Sequence, residues 1–325
     1  MAAPNHPVLD VLRERHATGS APGARQDPHK VALVLEGGSM RGVVSAGMTA
    51  AIERLGLTPC FDLVVGSSAG ALNGAALIAG VARAGVGMYH GVLASRAFVN
   101  PARLLVGRPA LDVRFVLAHA DRDLDDPRYR RTLESPIALH CVALDLDRGT
   151  PETFTGMRTE DELASVLLAT TRMPWVGGPP VVLDGRRFVD GALACPIPVE
   201  EAEGAGATHV LVLQTRPYGV PRTTGSRIGE RLVAYQLRRV DPRLATMWRE
   251  RAERYERLVA DIARRSEDPG AAAPFVLGLR PPAGAPCVSQ LERRPDVLRA
   301  AAEDAERLVE AALGATVVAQ AEAAR

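Results

Sequence analysis

The stretch that most restricts what this chain can fold into is residues 61–74, FDLVVGSSAGALNG. A short apolar run, Leu63-Val64-Val65, turns on Gly66-Ser67-Ser68-Ala69-Gly70 and passes directly into helix-forming residues. A buried strand that turns sharply on G-x-S-x-G and enters a helix is a nucleophile elbow, which holds a serine at the tip of the turn with its Oγ exposed. Gly66 and Gly70 stand two residues either side of Ser68, where a side chain would crowd the bend. The first N–H groups of the following helix point toward negative charge developing beside that oxygen. The same residues also fit an ordinary strand–turn–helix with small residues at the bend. The elbow alone therefore does not separate a catalytic serine from a structural one.

A second strand–loop–helix precedes it. Residues 31–35, VALVL, form an uninterrupted apolar run, as expected of a strand buried on both faces. Glu36-Gly37-Gly38-Ser39-Met40-Arg41-Gly42 follows, then a helix over 43–55 that stops at Gly56 with Pro59 just beyond. One role for this loop is to cradle a phosphate. That role calls for G-x-G-x-x-G, and Ser39 stands at the second glycine; no G-K-[ST] follows to make a P-loop. Another is an oxyanion hole, in which consecutive small residues let the backbone N–H groups of Gly37, Gly38 and Ser39 converge on one point. A tight turn packed against a neighbour is the third.

The rest of the chain reads as alternating strands and helices. A short helix is expected at 8–15 within a peripheral arm spanning 1–29. Residues 81–120 are less clear. Phe98, Leu104, Leu105, Val106, Phe115 and Val116 mix with Arg96, Arg103, Arg108 and Arg114, either as a basic, apolar cap over a cleft or as two surface helices split at Pro101 and Pro109. Strands are expected at 137–146 and 153–155, and a helix at 161–171 that ends before a loop rich in proline and glycine at 173–180. A hairpin around Asp184-Gly185 then delivers Asp190-Gly191-Ala192. Further expectations are a helix at 199–202, a buried strand at 209–213, helical spacing from Leu244 to Ile262, a strand at 275–279, a helix at 299–313 and a frayed tail at 315–325. Between residues 222 and 265 there are 12 arginines and 6 acidic residues. That excess suits either attraction to an anionic membrane surface or a solvated helix face laced with i,i+4 ion pairs.

Composition excludes several classes. The formal net charge is +1 over 325 residues, so no global attraction to nucleic acid is expected. The four cysteines form no C-x-x-C, and no His/Cys/Asp cluster has metal-ligand spacing, so neither metal nor cofactor is expected. No signal-like or membrane-spanning apolar run occurs, which predicts a reduced, cytoplasmic protein.

Three pieces stand in a telling order: EGGSMRG, then GSSAG, then DGA, with Asp190 placed 122 residues after Ser68. This set resembles the patatin-like phospholipases, and with them a three-layer α/β/α fold with a mostly parallel central sheet in one domain over 30–314. The proline-rich loop at 174–180, Pro196-x-Pro198, and Arg251 with Tyr255 in R-x-x-x-Y extend the likeness to a bacterial branch. The resemblance implies a serine lipid acyl hydrolase acting on phospholipid or lysophospholipid esters. Ser68 is then the nucleophile, Asp190 its base without an intervening histidine, and the backbone of the Gly37-Gly38-Ser39 loop the oxyanion hole. Arg41 and Gly42 support that loop. Two departures stand out: Glu36 replaces the family's aspartate, and Ser39 replaces a glycine at a position where φ > 0 would strain a serine. Two other readings remain. One is an α/β-hydrolase triad of Ser68, Asp190 and His209; the other is a non-catalytic lipid- or nucleotide-binding module.

Overall fold

The computed structural model describes residues 6–122, 128–222, 227–270 and 272–323. Its first layer boundary is set by the continuous apolar runs. Strands β1 (Val31–Leu35) and β2 (Leu63–Ser67) are buried along their whole length. Because side chains alternate across a strand, Leu33 and Leu35 enter one core, while Ala32 and Val34 enter another on the opposite face. Removing a side chain such as Leu33 would cost about 2–5 kcal/mol, since both the lost transfer energy and the cavity left behind count.

The sheet runs β5-β6-β3-β2-β1-β7-β8, with β4 also paired to β3. β3 (Ala138–Asp145), β7 (His209–Leu213) and β8 (Phe275–Leu279) join β1 and β2 in the parallel part. β4 (Thr150–Phe154), β5 (Val181–Leu183) and β6 (Arg186–Asp190) are antiparallel additions around β3. The β5–β6 hairpin turns on Asp184 (φ 48°) and Gly185 (φ 75°), the two positive values that a two-residue hairpin turn requires.

Helices cover both faces. One layer holds α1 (Pro7–Thr18), α2 (Gly42–Arg54), α3 (Ala69–Ile78), α4 (Ala82–His90), α7 (Glu160–Thr170) and α11 (Pro295–Ala323), whose apolar residues share one core with Leu33 and Leu35. α5 (Val113–Arg122) and α6 (Arg128–Glu134) lie on the same side, Val116 within that core and Leu133 against it. The other layer holds α8 (Val199–Gly204) and α10 (Pro242–Glu267), packed on Ala32 and Val34, with α9 (Arg227–Val240) beside α10. The molecule is thus an α/β/α sandwich with a mostly parallel central sheet.

Two sequence expectations change at the termini. Residues 7–18 are not a peripheral arm. Val8 and Leu12 are fully buried, and the buried Arg15 reaches Asp62 at 2.7 Å, Asp27 at 2.8 Å and the Cys60 carbonyl at 2.8 Å. An amphipathic helix with an arginine that can satisfy several acceptors at once docks instead of trailing. At the other end α11 runs to Ala323, beyond the 313 expected for this helix. In the middle, α4 escaped pattern reading because Gly85 and Gly87 interrupt it. α9 and α10 part at Asp241-Pro242, where Asp241 caps α10 by accepting the Arg243 N–H.

Candidate active site

The elbow forms where β2 ends. Ser68 takes φ 56° and ψ −131° between β2 and α3, a strained conformation for a residue with a Cβ. Gly70 permits the tight crossing that follows, since a Cβ there would fall 2.4 Å from the Leu35 carbonyl oxygen; Gly66 lies within β2. The Ser68 N–H donates to Thr170 Oγ1 at 3.0 Å, and Thr170 in turn donates to the Val142 carbonyl at 2.5 Å. Thr170 closes α7, so this helix end fixes the elbow to β3.

Asp190 arrives by register. β3 pairs Val142 with Ser67 of β2 and the next residue, Ala143, with Asp190 of β6. Two consecutive positions on one strand therefore bring the ends of β2 and β6 together. The Ser68 hydroxyl donates to Asp190 Oδ2 at 2.7 Å, and the Ala192 N–H donates to Oδ1 at 2.9 Å. Gly191 is dictated by this approach: a Cβ on it would lie 2.2 Å from the Val142 carbonyl oxygen. Burial pushes the Asp190 carboxyl up to about 6; the Ser68 and Ala192 hydrogen bonds oppose the shift without cancelling it.

The glycine loop leaves β1 and abuts the same spot. A Cβ on Gly37 would stand 2.9 Å from that of Ser68. Gly38 has φ 154° and ψ 26°, and Ser39 takes φ 52° with its buried Oγ unpartnered among the described residues. Arg41 lies behind the loop, buried, with Nε donating to Thr215 Oγ1 at 3.2 Å and its N–H to the Gly38 carbonyl. Gly42 opens α2, and its carbonyl accepts from Asn73 Nδ2 of α3 at 2.8 Å, which ties loop to elbow helix. Glu36 faces away from the cleft. Its carboxylate accepts the Thr215 N–H at 2.6 Å and the Tyr255 hydroxyl at 3.1 Å.

Gly38, Ser39, Ser68 and Asp190 all line one cavity of about 350 Å³. Leu72, Leu93, Phe98, Leu111, Val113 and Val116 wall it on the α3 side, so part of the 96–117 segment lines the cleft, while its arginines and Leu104, Leu105 and Val106 do not. On the α10 side the wall carries Arg216, Arg222, Trp248 and Arg251. Of these Arg251 belongs to the R-x-x-x-Y pair and Trp248 to the helical spacing from Leu244 to Ile262; Thr170, Arg216 and Arg222 belong to no motif. Over residues 222–265 the ion pairs Arg254–Glu250 and Arg257–Glu253 span i,i+4 as expected.

His209 is not brought to this cluster. It pairs with Val31 at the start of β1, whereas the elbow lies beyond Leu35 and Gly66 at the other end. Its Nδ1 is 2.9 Å from Thr208 Oγ1 and its ring packs on His29 and Phe275, and burial pushes it down to about 4. Among the described residues no group of three or more His, Cys, Asp or Glu is placed to hold a metal ion. No helix among them is long and apolar enough to cross a membrane.

The uncharacterized protein YjjU of Escherichia coli (strain K12) is 31% identical over 195 residues, 58% of this chain and 53% of that protein, so the match spans about half the length of this curated relative. The crystal structure of VipD from Legionella pneumophila aligns with a TM-score of 0.47 at 13% identity, covering 89% of this chain and 67% of that one. A family model described as patatin-like phospholipase matches residues 33–203, more than half of the chain. That matched segment holds the glycine loop, the elbow and Asp190, and the chain belongs to the patatin-like phospholipase family.

Proposed function

We propose that this protein is a serine lipid acyl hydrolase that cleaves fatty-acyl esters of phospholipids or lysophospholipids through Ser68, Asp190 and an acyl-enzyme. The family supports lipid acyl hydrolysis in general. The observation that carries the specific reading is the 2.7 Å hydrogen bond from Ser68 Oγ to a buried Asp190 whose carboxyl is raised to about 6. An ordinary aspartate is too weak a base to deprotonate a hydroxyl. One raised toward neutrality is still ionised at pH 7 and holds a proton better once it has taken one.

In this mechanism Ser68 Oγ forms a bond to the ester carbonyl carbon as its proton passes to Asp190. The carbonyl oxygen becomes an oxyanion held by backbone N–H groups of Gly38 and Ser39; a donor of this kind is worth about 3–4 kcal/mol in a comparable hydrolase. Collapse of the tetrahedral intermediate breaks the bond to the leaving alkoxide, which takes the proton from Asp190. Water then attacks the acyl-enzyme, gives its proton to Asp190, and the fatty acid departs as the proton returns to Ser68. The apolar wall from Leu72 to Val116 suits the acyl chain. Leu105 and Val106, exposed beside Arg103 and Arg108 on the 96–117 segment, suit peripheral contact with an anionic lipid surface.

The test is covalent. A fluorophosphonate probe is expected to label the wild-type chain once, and Ser68→Ala to abolish labelling and release of fatty acid together. Labelling that persists in a folded Ser68→Ala variant overturns the assignment.

A further inference from the structure

The cavity wall opposite the acyl side carries more positive charge than its neighbours balance. Arg216, Arg222 and Arg251 line it beside Trp248, with Arg41 and Tyr255 behind them, and three carboxylates, Glu36, Glu230 and Asp190, lie near this group. All three acids are committed, Asp190 to the Ser68 hydroxyl and the Ala192 N–H. Glu36 is held by the Thr215 N–H and the Tyr255 hydroxyl. Glu230 is held by Arg251 at 2.7 Å and by Trp248 Nε1 at 2.7 Å.

Among the described residues neither Arg216 nor Arg222 forms an ion pair, although Arg222 lies close enough to Asp190 and Glu36 to feel both charges. Arg216 is only 7% exposed; its Nη1 donates to the Pro221 carbonyl at 3.2 Å and its Nε has no acceptor among the described residues. Its backbone is pinned, because the Arg280 side chain donates to the Arg216 and Pro217 carbonyls. Arg222 is half-buried, and its guanidinium, like that of Arg216, lies 5.5 Å from the Tyr255 ring centroid. Exposed Glu256 accepts the Arg222 backbone N–H, not its side chain. Burial and the surrounding arginines push Arg222 down to about 10. Burying a guanidinium without an anion is costly, and both of these line the same cavity as Ser68. A cation pair that makes no ion pair among the described residues, beside a nucleophile, suits an anion that the substrate brings.

We propose that Arg216 and Arg222 form a phosphate subsite that makes the enzyme selective for acyl esters with an anionic phosphate headgroup over zwitterionic or neutral ones. The layers give this its direction. The apolar wall belongs to the face of the sheet covered by α3 and α5, and the arginine wall to the face covered by α10. Ser68, at the sheet edge between them, meets the ester with its acyl chain on one side and its headgroup on the other. Arginine suits the task because its planar fork matches phosphate oxygens with paired N–H donors. A choline headgroup would bring its own cation into the same wall.

This inference rests on the acyl-hydrolase reading, so its test has one arm that needs turnover and one that does not. In the first, hydrolysis of 1-decanoyl-glycerol-3-phosphate, the matching phosphocholine and monodecanoylglycerol is measured below the micellar range. Wild type is expected to favour the phosphomonoester over the neutral ester at least tenfold in kcat/KM. Arg222→Gln, at the less buried position, is expected to lower that ratio at least tenfold, mainly through KM, and Arg222→Lys to restore part of it. An unchanged ratio in Arg222→Gln overturns the subsite. In the second arm, decyl phosphate and inorganic phosphate are titrated into folded Ser68→Ala and into Ser68→Ala/Arg222→Gln by calorimetry. Decyl phosphate is expected to bind the first at least tenfold more tightly than the second, even where no ester is turned over. Equal binding to both overturns the subsite, and inorganic phosphate binding as tightly as decyl phosphate overturns its assignment to a lipid headgroup.

Discussion

Asp190→Asn is expected to abolish hydrolysis and yet stabilise the fold, with a gain that grows with pH. The wild-type carboxyl goes from an ordinary 3.8 in the unfolded chain to about 6 in the fold, chiefly through burial. Below pH 3.8 it is protonated in both states and ionisation costs the fold nothing. As pH rises to about 6 the unfolded chain gives up its proton and the folded one keeps it, so stability falls across that window and levels off above it. A shift of about two units, at 1.36 kcal/mol each, amounts to roughly 3 kcal/mol at pH 7–8. Asparagine carries no such cost and keeps both contacts. Its Oδ1 can accept the Ala192 N–H, and its Nδ2 can donate to Ser68 Oγ, which lies 2.7 Å from the present Oδ2.

Chemical denaturation of wild type and Asp190→Asn from pH 3.5 to 8 reads this directly. The curves are expected to coincide near pH 3.5, to separate through pH 4–6 and to run parallel above, Asp190→Asn being the more stable by about 3 kcal/mol. At 2–4 °C per kcal/mol for a domain somewhat smaller than this one, that corresponds to roughly 6–12 °C in Tm. The same ionisation sets an acid limb in wild-type kcat/KM, rising to a plateau with a midpoint near 6. A stability difference that does not vary with pH refutes the reasoning, as does an acid limb centred near 4, because either would mean that burial does not hold the proton on Asp190.

Three further outcomes are expected. Ser39→Gly removes a positive φ and a buried hydroxyl unpartnered among the described residues, so it should raise stability by about 1 kcal/mol and keep or raise kcat; a tenfold fall in kcat would mean the Ser39 hydroxyl contributes. His209→Ala should keep kcat/KM near wild type, since its ring packs at the opposite end of the sheet from Ser68; a folded but inactive variant would restore the triad. EDTA should leave hydrolysis of a soluble short-chain ester intact, and a loss reversed by calcium or zinc would contradict the metal-free mechanism.

Strands buried on both faces declare themselves as continuous apolar runs, so 31–35, 209–213 and 275–279 were legible, and a parallel sheet with them. The 184–185 turn was legible because few pairs other than Asp-Gly accept two positive φ values in succession. Close backbone crossings demand glycine at fixed offsets, which is why the elbow and the residue after Asp190 stand out in the sequence. The α10 wall was not legible. Arg251 and Tyr255 show their spacing on one helix, but their partners Glu230 and Glu36 lie 21 and 219 residues away. Thr170, Arg216 and Arg222 gain their positions only when helix ends and loops converge on the sheet edge, and no local pattern encodes that meeting. The helix at 8–15 was legible but its docking was not, because docking depends on Arg15 finding Asp27 and Asp62, which the chain brings together only on folding.

The two departures from the family pattern, Glu36 and Ser39, are connected. Ser39 at φ 52° costs about 1–2 kcal/mol that a glycine would not. Left alone, that strain would pull the loop toward a relaxed path and swing its N–H groups off the point where the proposed mechanism places an oxyanion. Glu36 stands at the base of the same loop and grips two separate elements, the residue after β7 through the Thr215 N–H and α10 through the Tyr255 hydroxyl. Hydrogen bonds to a charged group contribute about 1.5–3 kcal/mol each, so the two together exceed the cost of the strained serine. A side chain one methylene longer than aspartate extends far enough to meet both donors while its own backbone N–H stays bonded to the Leu213 carbonyl. Arg41 adds a third attachment to Thr215. The loop is thus held from behind, on the side away from substrate, and the strain remains where a fixed N–H direction is useful.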